Sequence, residues 1–275
     1  MKLLRLATIA ALSTTVLAGG ASAVLANEVR DVTTDGKIEF RPAGEEDGPL
    51  EVIPPETGPD APDVEIDPEG AGTTGPLSIM KAATMNFGTQ VISNQDQTYN
   101  MVAEMARLAN PKEDGPTHVP YVSFAQVQDL RGTNAGWDLK VSLSDFEAPE
   151  AQNKILTGAQ ITFANAQLRY EGSNTDNAPT VHQAGLTLLP NGAARSVMTA
   201  AQGQGAGASS VIWGDQADLT AQFEAEGFNP ETDVVENNAI QLSIPGSTAK
   251  DATNPHHNPP PQHCPTPVQQ PPPEP

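Results

Sequence analysis

Hydrophobic and polar residues alternate most regularly between residues 137 and 146. One side of this stretch carries four apolar side chains and the other carries polar ones: Trp137, Leu139, Val141 and Leu143 against Asp138, Lys140, Ser142 and Ser144. A period of two is typical of a β-strand with one buried face and one face in water. The pattern therefore predicts a half-buried strand that begins at Trp137.

Further short runs, rich in β-branched and aromatic residues, recur between turn-forming residues and predict more strands. They span residues 121–127, 155–163, 167–170, 186–189, 209–213 and 239–244. The segment 100–108 differs, because Met101, Met105 and Leu108 have helical spacing and predict a single short helix. Strands that follow one another without long helices between them favour an all-β class. We expect a β-sandwich or barrel-like domain with long loops and at most one or two short helices.

The two ends of the chain differ from the middle in amino-acid composition. Residues 1–26 join two basic residues, an apolar run and small residues, which is typical of a secretory signal peptide with cleavage after Ala23 or Ala26. Residues 254–275 are dominated by proline, so we expect a disordered tail that cannot continue a sheet. The β domain is then expected to occupy residues 77–253.

Between the leader and this domain, residues 27–76 hold a short β-prone piece, 31–40, and an acidic spacer rich in proline and glycine. Its prolines keep the chain extended and its carboxylates repel one another. Such a composition buries too little apolar area to offset the entropy of ordering, so the spacer is predicted to be disordered or polyproline-like.

Charge and cysteine content narrow the class of protein. The formal net charge of −20 argues against nucleic-acid binding, since the phosphates would be repelled. The single cysteine, Cys264, permits no internal disulfide, so stability must come from a packed core. After the leader, no apolar run reaches the ~18 residues of a transmembrane helix. We expect an exported protein without membrane insertion.

The predicted strand follows a turn-rich run, and together they read Arg131-Gly132-Thr133-Asn134-Ala135-Gly136-Trp137-Asp138-Leu139. This phrase, with those at 77–79, 86–88, 121–129, 156–161 and 242–250, resembles the WxL-domain surface proteins of Gram-positive bacteria in order and spacing. The resemblance implies a secreted protein that attaches non-covalently to the cell wall and acts with partner surface proteins. No cofactor is implied.

One departure from the family pattern lies at the end of the domain. The family carries a second Trp-x-Leu on a strand shortly after the Pro-Gly-Ser-Thr phrase, and here Asn254-Pro255-His256-His257 occupies that place. Trp213 does not supply the motif, because Gly214 and Asp215 follow it. The abrupt change of composition after Thr253 suggests an aberrant tail created by a change of reading frame.

Candidate site residues fall into a motif and a surface. The motif is Gly136, Trp137 and Leu139, where Trp137 either stacks on a ligand or packs in the core. We favour the core, because apolar residues share its face. The polar residues of the opposite face and the other aromatic residues are candidates for a ligand surface: Asp138, Lys140, Tyr121, Tyr170 and Trp213. The alternative, which we favour, is that the two polar residues form a solvated face and that most of the aromatic residues pack in the core.

Catalytic chemistry has little support in the sequence. The carboxylate pairs Asp145 with Glu147 and Asp215 with Asp218 could serve as acid and base in a glycosidase, yet short acidic pairs more often cap turns. His256, His257, His263 and Cys264 could gather zinc, but we expect no functional metal site in such a tail. The resemblance to the wall-binding family then implies a binding protein for peptidoglycan or another wall polymer. The alternative is an adhesin or scaffold that binds a host or partner protein.

Overall fold

The computed structural model describes residues 38, 40–42, 51–56, 58, 61–66, 72–148, 151–182 and 185–252, together with the backbone of 268–270. The chain separates into two units, Met1–Arg41 and Pro42–Pro275. In the first unit, Ile38 and Phe40 are exposed and belong to no strand. The expected signal peptide, 1–26, and most of the β-prone piece 31–40 lie outside the described residues.

The regular secondary structure of the second unit consists mainly of strands, which confirms the all-β class. In chain order the strands are β1 Val64–Glu65, β2 Leu77–Lys81, β3 Gln97–Val102, β4 Glu104–Leu108, β5 His118–Tyr121, β6 Ser123–Asp129, β7 Trp137–Val141, β8 Gln160–Phe163, β9 Gln167–Tyr170, β10 Thr180–Val181, β11 Leu186–Leu188, β12 Arg195–Ala200, β13 Gly207–Trp213, β14 Glu236–Ile244 and β15 Val268–Gln270. A helix, α1, spans Gln216–Phe223, and a short 3-10 helix spans Thr175–Asn177.

The strands form four antiparallel sheets whose order does not follow the chain. Three sheets have four strands each, in the orders β2-β6-β13-β9, β11-β8-β14-β3 and β10-β12-β7-β15. The fourth has the order β1-β4-β5. Strands β6 and β7 are consecutive in sequence but lie in different sheets, so the turn-rich run between them carries the chain from one sheet to another.

Strand β6 is buried on both faces and separates two hydrophobic cores. Ala125 and Val127 face the first core, which also holds the apolar residues of β7, β8, β12 and β14. Phe124 faces the second core, which is shared with β4, β5 and α1. Because both faces are covered, β6 is buried almost without interruption and lacks the alternation of a half-exposed strand.

The predicted helix at 100–108 is wrong. The segment divides at Ala103 into β3, which pairs with β14, and β4, which pairs with both β1 and β5. Met101 is fully buried whereas Met105 is half exposed, so the methionines do not share one helical face. Ladder hydrogen bonds to distant strands override the local spacing here.

The acidic spacer is also more ordered than predicted. Val64 belongs to β1, and Val52 and Val64 are both buried in the second core. The side-chain amide of Gln126 accepts a hydrogen bond from Ile53 N (3.0 Å) and donates one to Ile53 O (2.8 Å). The expectation of disorder is therefore wrong for residues 51–56 and 61–66, because packing and paired hydrogen bonds offset the entropy of ordering.

The tail likewise returns to the sheet at one place. Residues 268–270 form β15, which pairs antiparallel with β7, so the expectation that the tail cannot continue a sheet is wrong there. These three residues lie between Pro267 and Pro271. Unlike the two prolines, each of them has a backbone N–H that can donate a hydrogen bond to a neighbouring strand. The remainder of 254–275 lies outside the described residues.

Candidate functional site

Strand β7 has the alternation that the sequence predicted. Trp137, Leu139 and Val141 are 1%, 0% and 6% exposed, and the residues between them are partly exposed. The strand ends at Val141, whereas the alternation in the sequence continues to Leu143. Leu143 is nevertheless buried. The motif residues Trp137 and Leu139 thus belong to the first core.

Trp137 is held in that core by a specific polar contact. Its indole Nε1 donates a hydrogen bond of 3.0 Å to the carbonyl oxygen of Gly205, in the loop between β12 and β13. A buried indole N–H needs such a partner, because burial without one costs free energy. With the ring enclosed and its N–H occupied, Trp137 presents no face to a ligand in this structure.

A clamp that the sequence analysis did not identify fixes the turn before β7. The Arg131 guanidinium donates to both carboxylate oxygens of Asp129, from Nε to Oδ1 (2.9 Å) and from Nη2 to Oδ2 (2.8 Å). Nη2 also donates to the carbonyl oxygen of Gly136 (2.8 Å). The hydrogen bonds to the Asp129 carboxylate raise the pKa of Arg131 above its usual value. The Asp-Leu-Arg spacing at the end of a strand was the available signal.

Gly136 is required at its position for two reasons. Its φ of +77° lies in the left-handed region, and a Cβ there would overlap the carbonyl oxygens of Ala200 and Ala201. Gly132 has a similar φ of +70° but opens onto free space. The motif glycine therefore lets β7 approach the end of β12 closely, whereas Gly132 only shapes the turn.

The polar face of β7 is partly exposed and internally bonded. Asp138 accepts hydrogen bonds from Ser196 Oγ (3.0 Å) and Thr199 Oγ1 (3.1 Å), both on β12. Lys140 Nζ lies 3.3 Å from Asp138 Oδ2. Each of these two charged side chains is 27% exposed. The exposed part of each side chain could contact a ligand. The hydrogen bonds of Asp138 to Ser196 and Thr199, however, connect β7 with β12.

The candidate aromatic residues do not form one surface. Tyr121 and Trp213 are 1% and 3% exposed, so both pack in the cores and neither presents an exposed ring. The Tyr121 hydroxyl accepts from Glu56 N (2.9 Å), and burial raises its pKa to about 12. Trp213 Nε1 donates to His182 Nε2 (2.9 Å) in the first core. Tyr170 is partly exposed and donates to Ala206 O.

The carboxylate pairs have structural partners. Asp215 caps α1 by accepting from Ala217 N and Asp218 N, which is the turn-capping role weighed against catalysis. Asp145 accepts from Asn191 Nδ2 (2.6 Å). In the part of the chain that the structure describes, no group of three His, Cys, Asp or Glu side chains is arranged for a metal ion. No helix within those same residues is long and apolar enough to span a membrane.

Comparison with known proteins gives one match. The family model described as "WxL domain surface cell wall-binding" matches residues 27–257, which include the motif strand, the turn before it and both cores. Neither the curated proteins nor the solved structures provide a match.

Proposed function

The chain belongs to the WxL family of surface cell-wall-binding domains, and on this premise we propose that it attaches non-covalently to peptidoglycan. The protein is located at the cell surface and is associated with the wall. The family match over residues 27–257 is the observation that carries the proposal. We further propose that residues 1–26 direct export and that the protein acts beside other surface proteins in a complex.

The structure supports a binding role in which the motif stabilises the fold. Gly136, Trp137 and Leu139 all serve packing, and the clamp of Asp129 and Arg131 fixes the turn that precedes them. The surface that touches the wall then lies elsewhere on the domain. The exposed rim of Asp138 and Lys140 is one candidate, and Tyr170 is another.

Sedimentation with cell walls tests this proposal. The full chain is mixed with washed Gram-positive walls stripped of teichoic acid, and the bound fraction is measured after centrifugation. Retention that saturates with protein concentration is expected, and complete recovery in the supernatant would contradict direct attachment.

The same assay separates wall attachment from the alternative of an adhesin or scaffold. Capture that occurs only after a partner surface protein is added would favour the alternative. Release of soluble wall fragments by the pure protein would instead indicate an enzyme.

A further inference from the structure

Strand β7 has an inner edge, which faces β12, and an outer edge, which the chain covers only in part. β12 pairs with the inner edge along the whole of β7. β15 pairs with the outer edge opposite residues 138–140 only, and its flanking residues Pro267 and Pro271 cannot donate to a ladder. In the part of the chain that the structure describes, no strand residue is paired with Trp137 or Val141 on the outer edge.

The three residues of β15 do not repeat the alternation of β7. Residues that stand directly opposite each other in an antiparallel pair belong to the same face of the sheet. Leu139 is fully buried in the first core, and its partner in the register is Gln269. Val268, the apolar residue of β15, is instead opposite Lys140. The tail therefore holds the outer edge by backbone pairing and not by a matching sequence pattern.

The sequence of β7 matches itself when it is paired with a second copy running in the opposite direction. In an antiparallel pair centred on Leu139, each Asp138 stands opposite Lys140 of the second copy. Opposite charges at such positions stabilise a sheet, and like charges destabilise it. Trp137 then stands opposite Val141, so the apolar residues of both strands remain on one face. A second copy of β7 supplies both the alternation and the charge pattern that β15 lacks.

The two charged side chains of β7 are arranged for contact across this edge. Asp138 and Lys140 are each 27% exposed, with the carboxylate and the ammonium 3.3 Å apart. Hydrogen bonds from Ser196 and Thr199 orient the Asp138 carboxylate on the polar face. A carboxylate accepts several hydrogen bonds, so these contacts leave it able to accept another from an ammonium of a second copy.

The tail has an advantage over a second copy because it is tethered. Residues 253–267 connect β15 to the rest of the domain, and a linker of this length gives an effective concentration on the order of millimolar. A second copy at micromolar concentration competes poorly with a segment that is always near. The flanking prolines of β15 also make it a poor template for a further strand. The tail thus has the properties of a cap on an edge strand.

We propose that the outer edge of β7 is a docking surface for a second copy of this chain and that β15 caps it. When β15 leaves this edge, two copies pair through β7 in an antiparallel register centred on Leu139. The sheet of β10, β12 and β7 then continues into the same sheet of the second copy. Both copies use the same residues, so the contact closes as a two-fold dimer and does not extend into a fibre.

Analytical ultracentrifugation of full-length variants tests the proposal, with a reducing agent present so that Cys264 forms no disulfide. The capless variant removes the backbone donors of β15 by three substitutions: Val268→Pro, Gln269→Pro and Gln270→Pro. The matched control places three prolines elsewhere in the tail: Asn258→Pro, Gln262→Pro and Thr266→Pro. Between about 10 and 200 μM, the capless variant should change from monomer to dimer, whereas the unmodified chain and the control should stay monomeric.

Charge reversal in the capless variant tests the register. Lys140→Asp places two carboxylates opposite each other at two positions, and Asp138→Lys does the same with two ammonium groups. Each of these variants alone should dimerise about tenfold more weakly or less. An equimolar mixture of the two should regain the dimer, because every charged residue of one variant then stands opposite a residue of opposite charge in the other.

Thermal unfolding checks that each variant is folded. If Asp138→Lys is unstable, the register is decided by Lys140→Gln, which should weaken the dimer less than Lys140→Asp does. A capless variant that stays monomeric overturns the inference, and so does a dimer that Lys140→Asp does not weaken. An unmodified chain that dimerises as strongly as the capless variant overturns the role of β15 as a cap. None of these measurements involves cell walls, so their outcome is independent of the proposed function.

Discussion

Trp137 Nε1 and the carbonyl oxygen of Gly205 lie 3.0 Å apart and form a buried hydrogen bond. Gly205 has a φ of +74°, and a Cβ at that residue would meet the indole of Trp137 at 2.6 Å. The tryptophan of β7 and the loop after β12 are therefore fitted to each other in both shape and hydrogen bonding. In this structure Trp137 stabilises the packing of the core and does not stack on a ligand.

Substituting Trp137 is expected to reduce stability before it affects any contact with the wall. Trp137→Ala should lower the free energy of unfolding by about 3–5 kcal/mol, because a large buried ring is lost. That loss is a large fraction of the total stability of a domain. Urea unfolding of the variant, paired with wall sedimentation at a temperature where it remains folded, provides the measurement. A stable Trp137→Ala protein with no wall binding would instead show that the tryptophan contacts the ligand.

The two glycines of the turn before β7 should differ sharply in their tolerance of alanine. Both have positive φ, so each substitution carries a backbone cost of about 1–2 kcal/mol. Gly136→Ala adds overlap with the carbonyl oxygens of Ala200 and Ala201, for a further cost of about 1–3 kcal/mol. Gly132→Ala has open space around its Cβ and is the matched control. Equal unfolding free energies for the two variants would contradict close packing of the motif glycine.

Alkaline pH should weaken the fold through Tyr121. Burial raises the pKa of this phenol from 10.0 to about 12, so folding favours its protonated form. The contribution of the protonated phenol to the free energy of unfolding is fully present below pH 10 and is lost as the pH rises towards 12. Urea unfolding at intervals between pH 8 and about pH 12 measures the decline.

Tyr121→Phe is the control for this titration. The variant loses the hydrogen bonds with Glu56 and should be less stable near neutral pH. Its unfolding free energy should nevertheless fall less steeply between pH 10 and 12, because the phenol no longer titrates. Identical slopes for the two proteins would show that Tyr121 does not cause the decline.

Added salt should not release the protein from the wall. With a formal net charge of −20, the chain is repelled by anionic wall polymers, and salt screens this repulsion. The retained fraction is expected to stay constant or to rise between about 20 and 150 mM NaCl, and also with millimolar Mg²⁺. A cationic protein of similar size, run in parallel, should show the opposite trend. A steep loss of retention with salt would contradict the expectation.

The limits of local pattern are clearest in three segments. Residues 100–108 have helical spacing, yet β14 and β5 pair with them and draw them into strands. The acidic spacer reads as disordered, but Val52, Ile53 and Val64 contact residues that are distant in sequence. Helix α1 was missed although Asp215 and Asp218 at its start were a usable capping signal.

The sequence by itself determined the all-β class, the half-buried strand at Trp137 and membership of a wall-binding family. These features depend on local alternation and on short phrases that need no partner to be recognised. Only the tertiary structure decided that Tyr121 and Trp213 are buried, that Arg131 holds the turn, and that residues 268–270 pair with β7. Each of these depends on contacts between residues that the sheet order, and not the chain order, brings together.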